Sequence, residues 1–314
     1  MSTLVELPPD QFNSAAFDDF QPADVNFTTG NARAMMWMSQ LAYETHKQET
    51  IDHVKSLFQL DQITAFFKRA IGNDSFDSRG IIAEGRGAVI LAFAGTDPAV
   101  WENLATDINI GRARNEDIRR GFRAAFKAVQ PRVDEAAGIS RRTGHPLFIT
   151  GHSPGAALAA LAGQHADTTG AAPRAVYVFG MPRAGGEKFQ MDYNIRLGPI
   201  TYRLVHGLDI VARIPRSEMG FRHVGRLLQC NSGEQFKPAA LLSDAGLDKP
   251  DLGLAQSVVS GIEGILSGKA PILSPRGTGP FGPLFQVLPQ PIRDHLRDRY
   301  FVALGAPALE TTSQ

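Results

Sequence analysis

Ser153 stands in Gly151-His152-Ser153-Pro154-Gly155, a G-x-S-x-G pattern. An apolar run, Leu147 to Thr150, precedes it, and an Ala-rich segment to about Ala166 follows at helical composition. A serine between a strand and a helix with small residues on both sides is the setting of a nucleophile elbow. The turn is so sharp that larger side chains would collide with neighbouring backbone. The start of the following helix also places a positive dipole end beside any oxyanion that forms. A serine hydroxyl is a poor nucleophile on its own, so this reading requires a histidine base and an orienting carboxylate, in the chain order Ser, Asp, His.

Asp209 is the leading acid. It follows the apolar stretch Thr201 to Val205, so a loop at the top of a sheet can aim its carboxylate at the serine. Asp192 competes, but it sits in a polar stretch with no strand before it and reads as a solvated charge. Among the histidines, His206 breaks the chain order, and His152 is too close to Ser153 to swing onto its Oγ. His223 and His295 remain, and spacing alone leaves both open.

These motifs have to be held by a larger frame. Ala88 to Phe93 reads as a buried strand ending in a turn at Gly95-Thr96, and Ala175 to Phe179 as another strand. Between the first two strands, Arg119 to Gly138 carries Phe122, Ala125, Phe126, Val129 and Val133 at helical spacing. A further helix is expected from Asn31, as its cap, through Ala34, Met35, Trp37, Met38 and Leu41. Strands alternating with helices imply βαβ units, so the expected fold class is α/β with a mostly parallel sheet. Residues 1–30 read as an N-terminal arm and 31–302 as a single domain. An inserted excursion of about 231–290 is rich in Gly and Pro, and 303–314 form a C-terminal tail.

Composition narrows the function. Of 314 residues, 43% are hydrophobic, so the chain can bury a large core. The 32 basic residues equal the 32 acidic ones, and no basic excess points to nucleic acid. Cys230 is the only cysteine, which excludes an intrachain disulfide or a CxxC metal site. Glu6, Asp10, Asp18, Asp19 and Asp24 precede the first basic residue, Arg33, the reverse of a Sec signal's start. The expected location is cytoplasmic, or exported by a non-Sec route. No apolar run approaches the ~20 residues of a membrane span.

Together the motifs resemble those of the class 3 lipase family, over most of residues 31–302. The resemblance rests on Gly121-Phe122, the elbow, Phe179-Gly180-Met181-Pro182-Arg183-Ala184-Gly185, Asp209-Ile210-Val211 with Pro215, and Asp294-His295-Leu296. It implies an α/β-hydrolase fold with a lid helix, and it selects His295 over His223 as the base, giving Ser153, Asp209 and His295 as the triad. It also implies an oxyanion donor at Thr96, and a lid face at Val100, Trp101, Leu104 and Ile108. The implied activity is serine carboxylic-ester hydrolysis without cofactor or metal, on acylglycerols or other fatty acyl esters, with a lipid–water interface as the place of action. Phospholipase, aryl or feruloyl-type esterase and acyltransferase activities use the same parts. The chain departs from the family pattern at Pro154, where the residue after the serine normally donates a backbone N–H and proline has none. A weakened, lipid-binding relative is the corresponding alternative.

Overall fold

The computed structural model describes residues 7–69, 77–95, 118, 120–237, 241–242 and 290–306. Thr96, Val100, Trp101, Leu104 and Ile108 lie outside the described residues, as do 243–289 of the expected excursion.

Among the described residues, eight strands form one sheet in the order β1-β2-β3-β4-β5-β7-β9-β10. These are β1 (Leu60–Lys68), β2 (Ser78–Gly85), β3 (Ala88–Phe93), β4 (Leu147–His152), β5 (Ala175–Phe179), β7 (Thr201–His206), β9 (Arg226–Cys230) and β10 (Leu241–Leu242). The short β6 (Gly185–Gly186) and β8 (Phe221–Arg222) pair separately. Pairing is parallel from β3 through β4, β5 and β7 to β9, and antiparallel at both ends.

The strands β3, β4, β5 and β7 are buried at every position because helices cover both faces. In β3, Ala88, Ile90 and Ala92 face a layer containing Trp37 and Phe301, whereas Val89, Leu91 and Phe93 face one containing Phe122 and Val129. The first layer is made by α1 (Thr29–Leu41), α2 (Gln48–Leu57) and α7 (Arg297–Ala303). The second is made by α3 (Arg120–Thr143), α4 (Pro154–Thr168) and α5 (Glu187–Arg196). A short α6 (Gln290–Arg293) leads toward His295. No helix among the described residues is long and apolar enough to cross a membrane.

Two details differ from expectation. Helix α1 begins at Thr29, with Thr28 as cap: its Oγ1 accepts the Asn31 N–H at 3.0 Å. Asn31 is instead turned to the Gln21 backbone, accepting its N–H at 2.8 Å and donating to its carbonyl at 3.1 Å. Helix α3 continues past Gly138, because Ile139 extends its buried stripe, and Gly144 follows at φ +73. Residues 7–30, expected as an arm lying on the body or partly free, lie against the body. Phe12 meets Trp37 and Phe58, and Phe17 and Phe20 reach Phe58 and Phe148.

Candidate active site

The elbow is built as its residue types require. Strand β4 delivers Ser153 at φ +61 and ψ −136, and α4 starts at the next residue. Such a conformation costs on the order of 1–3 kcal/mol and persists only where its surroundings enforce it. Part of that enforcement is the Ser153 N–H, which donates to the Phe179 carbonyl at 2.9 Å. A Cβ on Gly151 would overlap the Gly155 backbone, and one on Gly155 would overlap Ala94 and Phe93, so both positions require glycine. The extended ψ of Ser153 also avoids the helical region that a following proline disfavours.

The structure brings the three predicted triad residues together. Ser153 Oγ lies 2.8 Å from His295 Nε2, and His295 Nδ1 lies 2.8 Å from both Asp209 Oδ1 and Oδ2. All three are buried, at 1%, 3% and 0% exposure respectively. A carboxylate only accepts, so the neutral ring carries its proton on Nδ1 and leaves Nε2 to accept from the serine hydroxyl. Asp209 is held in turn. Its Oδ1 accepts the Val211 N–H at 2.8 Å, and its Oδ2 accepts the Tyr300 hydroxyl at 2.6 Å. Burial and the neighbouring Asp209 charge raise the Tyr300 pKa well above its ordinary value, so Tyr300 stays a donor. Gly180, at φ +56, makes room for the pair: a Cβ there would stand 2.6 Å from Asp209 Oδ2 and 2.8 Å from His295 Nδ1.

The turn that carries the acid is fixed from outside as well. Arg183, buried in the Phe179 to Gly185 segment, donates to the carbonyls of Arg213 at 2.7 Å and Pro215 at 2.8 Å.

The rejected candidates have structural places. His223 is buried with Nε2 donating to the Ala212 carbonyl at 2.8 Å, and burial with the charges of Arg203 and Arg183 pushes its pKa well down. Asp192 is on the surface of α5, paired with Lys188 at 2.7 Å. His152 points away from the serine. Its Nε2 donates to the His295 carbonyl at 3.0 Å, so its Nδ1 must accept from Tyr43, whose hydroxyl lies at 3.0 Å. Burial, followed by the charges of His295 and Arg297, keeps His152 neutral, and its ring packs on His295 with centroids 4.6 Å apart.

Sequence reasoning missed Tyr43, Tyr300, His206 and Asp294 as parts of this assembly. Nothing in their neighbourhoods marks a hydroxyl or carboxylate that becomes buried only through contacts far along the chain.

At the oxyanion side, Gly95 is pressed against the elbow: a Cβ on it would lie 2.9 Å from Ser153 Cβ and from the His152 carbonyl. Thr96 comes next in the chain. Pro154 occupies the first turn of α4, where a missing N–H costs the helix nothing. The Ala156 N–H is already bonded to the Ser153 carbonyl at 2.9 Å. Of the backbone positions 153 to 156, Gly155 is therefore the one whose N–H is neither absent nor used, among the described residues.

Comparison with known proteins agrees with this architecture. Residues 91–219 match the family model described as lipase (class 3), a stretch that contains Ser153 and Asp209 but not His295. A secreted mono- and diacylglycerol lipase of Fusarium solani is 32% identical over 129 residues, 38% of this chain and 38% of that protein. A Caenorhabditis elegans protein named as a lipase is 25% identical over 216 residues, 64% of this chain and 60% of that one. The chain thus spans less than two thirds of the length of these relatives. In three dimensions, lipase II from Rhizopus niveus superposes with a TM-score of 0.55 at 20% identity, over 70% of this chain and 89% of that one. A structure described as a triacylglycerol lipase with a serine protease triad gives 0.55 at 19%, over 69% and 86%. At such identities the likeness is one of fold. The chain has the α/β-hydrolase fold of these lipases, and its residues 91–219 match the class 3 lipase family model.

Proposed function

We propose that the protein is a serine carboxylic-ester hydrolase acting on acylglycerols or other fatty acyl esters. The observation that carries this reading is the unbroken chain Ser153 Oγ, His295 Nε2, His295 Nδ1, Asp209 carboxylate, with 2.8 Å at each link, on a strained elbow.

In the reaction, Ser153 Oγ attacks the ester carbonyl as His295 Nε2 takes its proton. The tetrahedral oxyanion collapses to the acyl-enzyme, and His295 returns the proton to the departing alcohol. Water then repeats the sequence on the acyl-enzyme, releasing the fatty acid and restoring Ser153. Asp209 fixes the tautomer and stabilises the imidazolium formed in each half. The fatty acyl class of substrate is supported by the relatives named as mono- and diacylglycerol lipases.

Pro154 favours a second reading, a lipid-binding relative with weakened turnover, because the position that ordinarily supplies an oxyanion donor has no N–H. A panel of p-nitrophenyl esters of increasing acyl length separates the two. Turnover by the native protein that is lost in Ser153→Ala supports the hydrolase. Saturable binding of a fatty acyl ester analogue without Ser153-dependent turnover supports the weakened relative.

A further inference from the structure

The acid and the base reach each other across 86 residues of sequence, and the elbow does not fix their mutual placement. A second carboxylate lies directly behind them. Asp294, the residue before His295, accepts the N–H of Leu208, the residue before Asp209, at 2.8 Å. The Leu208–Asp294 and Asp209–His295 links are therefore adjacent rungs, one residue apart on both segments and with the same separation of 86.

The upstream rung is built with care. Asp294 Oδ2 also accepts the Ser232 hydroxyl at 2.7 Å, and Gln290 Nε2 donates to Ser232 Oγ at 2.9 Å. Asp294 Oδ1 lies 3.4 Å from His206 Nδ1. The other nitrogen of that ring accepts the Gly233 N–H at 3.4 Å, which leaves the proton on the nitrogen facing the carboxylate. Gly207, at φ +54, is the residue between them, and a Cβ on it would overlap the Asp294 carboxylate and Ser232 Oγ. The Ile210 N–H closes the far side by donating to the Pro291 carbonyl at 3.2 Å. Leu208 and Ser232 both donate to the one oxygen, Oδ2, while Oδ1 faces the His206 ring.

Resting on the hydrolase reading above, we propose that Asp294 is a positioning residue for the reaction: its carboxylate, clasped by Leu208, Ser232 and His206, sets the distance between His295 and Asp209 without touching the reacting atoms. A base displaced by about 1 Å can lose about 100-fold in rate. The loss falls on kcat, because the clasp makes no contact with bound ester.

The test is steady-state kinetics on a p-nitrophenyl ester together with the far-downfield proton resonance of the His295 Nδ1–H···Asp209 bond. Asp294→Ala should lose about 100-fold in kcat with KM within about two-fold of the native value, and the resonance should shift or vanish. Asp294→Asn, which keeps an oxygen for Leu208 and Ser232, should recover most of kcat. Ser232→Ala removes one donor at an exposed edge, so it should leave the fold intact, and it should cost about five-fold in kcat. Native kcat in Asp294→Ala, native kcat in Ser232→Ala, or losses that disappear on cooling in step with melting temperature would overturn the proposal. If the native protein hydrolyses no ester, the function reading fails, and the resonance in the native and variant proteins still decides whether Asp294 sets the His295–Asp209 contact.

Discussion

Replacing Pro154 by leucine returns a peptide N–H to the first position of α4, directly after the serine. The size of the effect follows from the donors around it. The Ser153 N–H is committed to Phe179 and the Ala156 N–H to Ser153, so neither can turn to the oxyanion without breaking a bond. One added donor in a buried site is worth about 2.7–4 kcal/mol in the transition state, or about 100- to 1000-fold in kcat. KM should move far less, since the bond strengthens as charge develops on the oxygen. Against this stands the loss of the proline's restriction of the unfolded chain, about 0.4–1 kcal/mol, which should lower the melting temperature by a few degrees at most. Pro154→Ala serves as a companion variant, because it restores the N–H without adding bulk at a buried position. The assay is kcat and KM on a short p-nitrophenyl ester, with melting temperature alongside. Unchanged or lower kcat in both well-folded variants would refute the reasoning, and would mean that the native site lacks no donor that limits its chemistry.

Other outcomes follow from the same geometry. His295→Ala should lose several powers of ten in kcat, whereas His223→Ala should act on stability, having removed a buried bond to the Ala212 carbonyl; the reverse pattern would reassign the base. The fold should also lose stability on acidification. His152 and His223 are held neutral in the fold, their pKa values depressed well below 6.5, while the unfolded chain protonates near 6.5. The unfolded state therefore binds more protons below that pH. The stabilisation is complete above about 6.5 and is lost as pH falls, each histidine adding a slope approaching about 1.4 kcal/mol per pH unit. Urea titrations from pH 7 to 5 measure it, and a slope unchanged in His223→Asn would contradict the assignment.

How far the sequence carried these conclusions depended on how local each feature is. Ser153 was legible because strand, elbow and helix are contiguous, and the glycines around it are required by clashes within a few residues. Asp209 was legible from the strand before it. His295 was separable from His223 by resemblance alone, since its position depends on closure over 86 residues. Strand β1 went unread because it is an edge strand whose exposed positions break its alternation, and β2 because Ser78, Arg79 and Gly80 open it with polar or small residues. The start of α1 was misplaced because Thr28 and Asn31 are both good caps, and only the distant Gln21 backbone decides between them. The packing of Phe12, Phe17 and Phe20 onto the body has the same origin, in partners far along the chain.

The central claim is that Ser153 is a nucleophile activated by His295. Incubating the native protein with a fluorophosphonate and mapping the adduct by peptide mass spectrometry tests it directly. One adduct per chain on the peptide containing Ser153, absent in Ser153→Ala and strongly slowed in His295→Ala, is the predicted result. A folded native protein that forms no adduct, or forms it on another residue, would contradict the account.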